Sequence, residues 1–139
     1  MFNPFDPANR RTLATLSKVA LGLFWLALIA VTHVPVNLDL HAPEGSDKLV
    51  HFGAYAVLAF LIATAWQLNA GVLTGRHLFL VWLAAALFGV VDEVTQTFVG
   101  RDCTPGDWTA DALGAAIGVL AFVLVRRLWE RATSSRKGT

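Results

Sequence analysis

At 139 residues the chain is long enough for one domain, yet 55% of it is hydrophobic and only 15% is charged. Its mean hydropathy is +0.56, and soluble domains carry a charged share of about 25%. Surface-to-volume scaling leaves a water-soluble body of this size too small an interior for so much apolar surface, which excludes an ordinary soluble domain and points to a membrane. The net charge of +1 says little about partners, and the one cysteine, Cys103, rules out an intrachain disulfide. No internal repeat, Gly-rich phosphate loop, zinc-ligand spacing or basic-aromatic nucleic-acid patch is present.

Residues 1–17 read as a polar, loop-like lead-in, with Pro4 and Pro7 against an early helix and Arg10 and Arg11 ahead of the first apolar run. That run extends from Val19 to Val34, with Thr32 and His33 near its end and Pro35 stopping it. No signal-peptidase-like small-residue motif follows and the rest of the chain is equally apolar, so an uncleaved first span is expected. A hydrophilic loop, residues 36–47, precedes a second span from Lys48 to Leu68, with Ser46 or Asp47 as N-cap. After a polar turn at 69–75, the third span runs from about Arg76 to Phe98. A second hydrophilic loop, with Pro105-Gly106 at its turn, leads to a fourth span from about Asp107 to Val125. The residues after Glu130 read as a disordered basic tail. Each span is close to the roughly 20 residues that a bilayer core requires.

Four spans place both termini on one side. Arg10, Arg11, Lys18, Arg76, Arg126, Arg127, Arg131, Arg136 and Lys137 lie in the terminal segments and the middle turn, leaving only Lys48 and Arg101 for the other two loops. The positive-inside rule then makes the termini cytoplasmic. The expected architecture is an all-α integral membrane bundle of four transmembrane helices. It comprises a cytoplasmic segment at 1–18, a helical domain at 19–126 and a basic cytoplasmic tail at 127–139. The same sorting puts Asp39, Glu44, Asp47, Asp92, Glu93, Asp102, Asp107 and Asp111 at the outer face.

Ionisable residues at or inside the ends of membrane helices are costly unless they face protein or water. Asp92 and Glu93 interrupt the third span about 21 to 24 Å along a helix rising 1.5 Å per residue, below the outer rim. Adjacent helical positions diverge by about 100°, so one acid is expected to point inward, and Glu93 is the favoured one. Gln96 is within reach of both. On the second span, Asp47, Lys48, His51 and Tyr55 fall at helical spacing, with His51 and Tyr55 on one face. On the fourth, Asp107 and Asp111 lie four apart, and the stripe continues through Gly114 and Ala115 to Gly118, a small-residue seam that permits close helix approach. Asp47 and Asp107 also suit helix capping, Lys48 suits snorkelling to the interface, and the five tryptophans suit packing or interfacial anchoring. Arg101 is the natural counter-ion, because its guanidinium fits a carboxylate or phosphate in bidentate fashion.

The pieces Asp47-Lys48-x-x-His51-Phe52-x-x-Tyr55, Glu93-x-x-Gln96-x-Phe98, Gly100-Arg101-x-x-Thr104-x-x-Asp107 and Gly114-Ala115-x-x-Gly118 together resemble the VanZ-like family of bacterial multi-span membrane proteins. The likeness covers most of the chain from the second span onward. It departs from the family pattern at Asp111, where the pattern has Asn. The resemblance implies a multi-pass protein of the bacterial cytoplasmic (inner) membrane and cell envelope, from a family associated with teicoplanin-type glycopeptide resistance.

Two functions fit these residues. In the favoured one, Asp47, Lys48, His51, Tyr55, Asp92, Glu93, Gln96, Arg101, Asp107 and Asp111 form an outward-facing pocket. It binds a lipid headgroup, cell-wall precursor or lipoglycopeptide without catalysis and without a cofactor. The alternative is a small membrane-embedded enzyme acting on a lipid headgroup, with Glu93 and His51 as acid–base pair. The chain carries no recognisable nucleophile motif, and no metal site is expected, His51/Glu93/Asp111 being the one set that is geometrically conceivable. A bundle in which the polar cluster serves only to fix helix register is the bland third reading, and a proton-coupled carrier is disfavoured because no charge lies near the middle of a span.

Overall fold

The structure, a computed structural model, describes residues 7–33, 46–100 and 105–135, with the side chains of residues 7, 8, 46 and 47 left aside. Within these it is helical: α1 (Pro7–His33), α2 (Ser46–Ala70), α3 (Gly75–Gln96) with a 3-10 turn at Thr97–Val99, and α4 (Pro105–Ser135). All four helices are long and apolar enough to cross a membrane. The spans expected from hydropathy are therefore all present.

Two boundaries differ from the sequence reading. α1 starts at Pro7 and not near residue 18. A proline in the first helical position lacks an N–H that has no intrahelical partner there anyway, so it opens a helix where in mid-helix it would break one. α4 continues to Ser135 through residues expected to be disordered beyond Glu130. Arg126 and Glu130 pair at i,i+4 (3.8 Å) on that extension, and Thr133 returns its hydroxyl to the Trp129 carbonyl at 3.0 Å. At 1.5 Å per residue α1 and α4 are roughly 40 to 46 Å long, so both reach past a hydrocarbon core of about 30 Å.

The α2–α3 turn is set by local chemistry. Gly71 adopts φ +97 and its N–H bonds the Gln67 carbonyl at 3.0 Å, a glycine C-cap that closes α2. Thr74 then caps α3, with His77 Nδ1 accepting the Thr74 backbone N–H at 3.1 Å. From α4, Arg126 donates to the Leu73 carbonyl at 2.9 Å, fastening this turn to the end of the last span.

The most extensive packing joins α2 and α4, which are not neighbours in sequence. Gly114 faces the Phe52 carbonyl and Gly118 faces the Ala56 carbonyl, so closely that a Cβ on either glycine would collide with backbone. Both pairs advance by four residues in the same direction, so the two helices run parallel. The expected Gly114/Gly118 seam is thus their contact surface. α3 runs antiparallel to α4, and two indoles bridge them. Trp82 Nε1–H donates to the Ala112 carbonyl and Trp108 Nε1–H to the Ala86 carbonyl, each at 3.0 Å. Around these contacts lies a core of Ala59, Ala63, Leu73, Val81, Ala85, Ala115 and Phe122. Small residues dominate it because membrane helices gain little from burying large apolar side chains and much from close approach.

α1 packs mainly on α2 and touches α3 lightly. Leu28 joins Tyr55 and Leu58 in a second cluster, while Leu23, Leu26 and Val31 are exposed on the outer surface of α1. Such exposed aliphatics, with Leu49, Leu87 and Leu120 on the other helices, make a belt suited to lipid contact. The topology brings the C-termini of α1 and α3 together with the N-termini of α2 and α4 at one end of the bundle. That end carries the site.

Candidate functional site

Seven polar or charged side chains are buried in the described part of the molecule: Thr32, His51, Asp92, Glu93, Gln96, Asp107 and Asp111. They come from all four helices and gather at that one end. Asp92 and Glu93 stand in the last turn of α3, at the negative end of its dipole, where a carboxylate is disfavoured. The converging N-termini of α2 and α4 supply the opposite field. Asp107, in the first turn of α4, sits where a helix favours an anion, but α4 opens at Pro105, so Asp107 lies inside the helix and is not the N-cap expected from the sequence.

The sequence reading favoured Glu93 as the inward acid of the pair, with Asp92 also among the pocket residues. The structure buries both: Asp92 is 1% exposed and Glu93 3%. The 100° divergence between them holds, but α3 is flanked on both sides. One acid turns to α1 and the other to α2 and α4, so each finds protein.

On the α1 side, the Thr32 hydroxyl reaches Asp92 Oδ1 at 3.0 Å and Gln96 Nε2 donates to Asp92 Oδ2 at 2.9 Å. His33 Nδ1 lies 3.7 Å from Asp92 Oδ1, and its Nε2 is 2.8 Å from Thr95 Oγ1. Of the two acids within its reach, Gln96 thus serves Asp92. Thr32, His33 and Thr95 were not among the candidate residues. The available signal was the position of Thr32 and His33 at the end of the first apolar run, which antiparallel threading puts level with Asp92.

On the other side, His51 Nδ1 is 3.0 Å from Asp111 Oδ1 and 4.0 Å from Glu93 Oε1. One ligand atom from each of His51, Glu93 and Asp111 can be chosen so that all lie within 4.8 Å of one another. Three helices thus contribute one side chain each. Asp111 is completely buried and fits only because Gly89 faces it, since a Cβ there would stand 2.9 Å from Asp111 Oδ2. Asp107 is within electrostatic reach of His51 and Asp111.

Tyr55 links the two halves. It is fully buried and within electrostatic reach of Asp92, Asp111 and Glu93, and its ring stacks on Phe88 at 6.1 Å between centroids. Beyond Phe88, deeper along the helices, lies an apolar crevice of about 220 Å³ lined by Leu21, Trp25, Leu58, Ile62, Ala84, Ala85 and Phe88. The polar cluster approaches this crevice at Phe88, which lines it and on which Tyr55 stacks.

Of the ten expected site residues, His51, Tyr55, Asp92, Glu93, Gln96, Asp107 and Asp111 are therefore brought together. Lys48 is on α2 but exposed. The Asp47 side chain and Arg101, with its proposed counter-ion role, lie outside the described residues, as does Cys103.

Chemically the arrangement offers carboxylates, imidazoles, an amide and a phenol, all held by interhelical packing. His51 held by Asp111 beside Glu93 is the pattern of a base oriented by a third group, and it is also a set of metal-compatible donors. No curated protein and no solved structure matches the chain. The VanZ/LLP1 family model matches residues 7–126, from the start of α1 to the end of the expected fourth span, and so takes in every residue of this cluster. Four membrane-length helices agree with that match, and the chain belongs to the VanZ-like family.

Proposed function

We propose that this protein lies in the bacterial cytoplasmic membrane and uses an outward-facing polar pocket to bind the polar part of an amphiphile. That amphiphile is a lipid headgroup, a cell-wall precursor or a lipoglycopeptide. The observation that carries the reading is the convergence of buried polar side chains from all four helices, the ionisable ones from α2, α3 and α4, next to an apolar crevice. Burying polar groups in a membrane protein is expensive, and a polar cluster continuous with a hydrocarbon-lined space suits a molecule that has both parts. The crevice is smaller than the roughly 300 Å³ or more of a drug-sized pocket, which fits a section of one hydrocarbon chain better than a bulky group.

The test is identification of what co-purifies. Mass spectrometry of the protein released from native-membrane nanodiscs is expected to show one amphiphile enriched over bulk lipid. Replacing Ala85 by Phe, which fills the crevice, should reduce that enrichment several-fold while Glu93→Gln retains most of it. An unselective annular lipid profile in the native chain would defeat the reading.

The enzymatic alternative keeps one specific support, the His51–Asp111 contact at 3.0 Å with Glu93 close by. Under it, Glu93→Gln abolishes turnover of the bound amphiphile and leaves its binding intact.

A further inference from the structure

α1 is the most loosely packed helix of the bundle: 6% of its apolar window is buried, against 33% for each of the other three spans. It runs parallel to α3 and in step with it. Trp25 meets Phe88 edge-on at 5.5 Å between centroids, Thr32 bonds Asp92 and His33 bonds Thr95, contacts that keep nearly one offset along the two helices. Towards their N-termini the helices part, because α3 presents the small side chains of Ala84 and Ala85, and there the crevice of about 220 Å³ opens. Aliphatic and aromatic side chains line it. Its mouth lies on the lipid-facing surface, where Trp25 is 45% exposed and Ala84 is exposed.

We infer that a bilayer lipid from the leaflet at the polar end enters sideways between α1 and α3, rests one hydrocarbon chain in the crevice against Trp25 and Ala84, and sets its head at His33 and Thr95. The mouth is continuous with the belt of exposed aliphatics on the membrane-length helices, so hydrocarbon is the medium at that depth. An unfilled void forfeits dispersion contacts along its wall, and an apolar wall gives water no partners. An acyl chain supplies the missing contacts. Depth agrees with this occupant. His33 lies eight residues beyond Trp25, about 12 Å at 1.5 Å per residue, against about 15 Å for half of a hydrocarbon core. A chain that ends in the crevice therefore begins near the level of His33. Polarity agrees as well. On this seam Thr32, Asp92 and Gln96 are buried, while His33 and Thr95, 2.8 Å apart, keep part of their surface. An imidazole and a hydroxyl suit the ester and phosphate oxygens of a lipid head. Among the described residues no buried polar side chain marks the opposite end of the seam, which selects the leaflet.

The lipid-chain site stands on the crevice, whereas its occupant being the selected amphiphile rests on the binding function proposed above. The test uses the full chain in nanodiscs of phosphatidylcholine doped with an analogue that carries a mid-chain diazirine. After irradiation, peptide mapping is expected to place adducts on Leu21, Trp25 and Ala84 several-fold above those on Leu49 of α2 and Leu120 of α4, which are exposed but lie outside the crevice. An analogue with the diazirine in its headgroup should mark His33 and Thr95 instead. Ala84→Trp, which closes the mouth, and Leu21→Trp, which fills the crevice from α1, should each cut the mid-chain adducts on Trp25 several-fold, scored on protein that gel filtration shows to be folded. Leu23→Trp, on the exposed outer surface of α1, should leave them unchanged. Even labelling over all four helices overturns the inference, as does labelling insensitive to both crevice variants or headgroup adducts at the other end of the seam. A ligand that arrives from the aqueous end leaves the crevice unmarked by the bilayer analogue, and that result overturns it too. An enriched amphiphile with even labelling sinks this inference and spares the binding function. Crevice adducts beside an unselective co-purifying lipid profile do the reverse.

Discussion

At the scale of single residues, Gly118 shows how little freedom the bundle allows. Its missing side chain lets the Ala56 carbonyl of α2 rest against α4, and any Cβ would enter that backbone. Gly118→Val is therefore expected to destabilise the protein by about 1 to 3 kcal/mol or more, the usual range for overpacking, read as a lower melting temperature in detergent. Gly22 has open space around it, and Gly22→Ala should leave the melting temperature nearly unchanged. Asp92 supplies a second residue-scale lesson. Helical spacing within α3 showed that Gln96 could touch it, and that contact is present. Its bonding to Thr32 spans sixty positions. Periodicity reports which side chains share a face of one helix and is silent on which faces of two helices meet. The preference for Glu93 as the one inward acid was incomplete for this reason: a second flanking helix gave Asp92 a buried place as well.

At the scale of elements, hydropathy located four spans because a bilayer demands long apolar runs. It misplaced the outer ends of α1 and α4 because helices continue into polar sequence where propensity and i,i+4 pairs support them. The α3–α4 contact depends on two indole donors to main-chain carbonyls, Trp82 to Ala112 and Trp108 to Ala86. Sequence alone had these tryptophans as packing or interfacial residues, because an indole N–H carries no mark of its acceptor. Interhelical hydrogen bonds in membrane proteins average about 0.6 kcal/mol and reach about 1.7. Trp82→Phe and Trp108→Phe should each cost an amount in that range. Their partners lie about one turn apart along the same interface, so a double-mutant cycle should show the two losses to be more than additive.

For the whole molecule, the sorting of nine basic residues to the termini and the middle turn gives an orientation that can be checked directly. A fluorescent protein fused after residue 139 is expected to glow, and alkaline phosphatase fused there to be inactive, because both report a cytoplasmic C-terminus. The reverse pair of results would put the polar cluster on the cytoplasmic side and remove an extracellular amphiphile from consideration. The location of the cluster at one bundle end was legible, since it needs only the helix order and the positions of the acids along each span. The crevice beneath it was not, because its lining residues come from three helices and differ in no obvious way from lipid-facing ones.

The pairing of α2 with α4 has a consequence for how the protein is made. Synthesis delivers His51, Asp92 and Glu93 to the membrane before the helix that carries Asp111 and the two glycines exists. A nascent chain paused after its third span holds acids and an imidazole with one wall missing, exposed to hydrocarbon or kept back in the insertion channel. Seating of the last helix is then the event that both locks the bundle and assembles the site, so a chain truncated before it should be a substrate for quality-control proteolysis and not a weakened version of the whole.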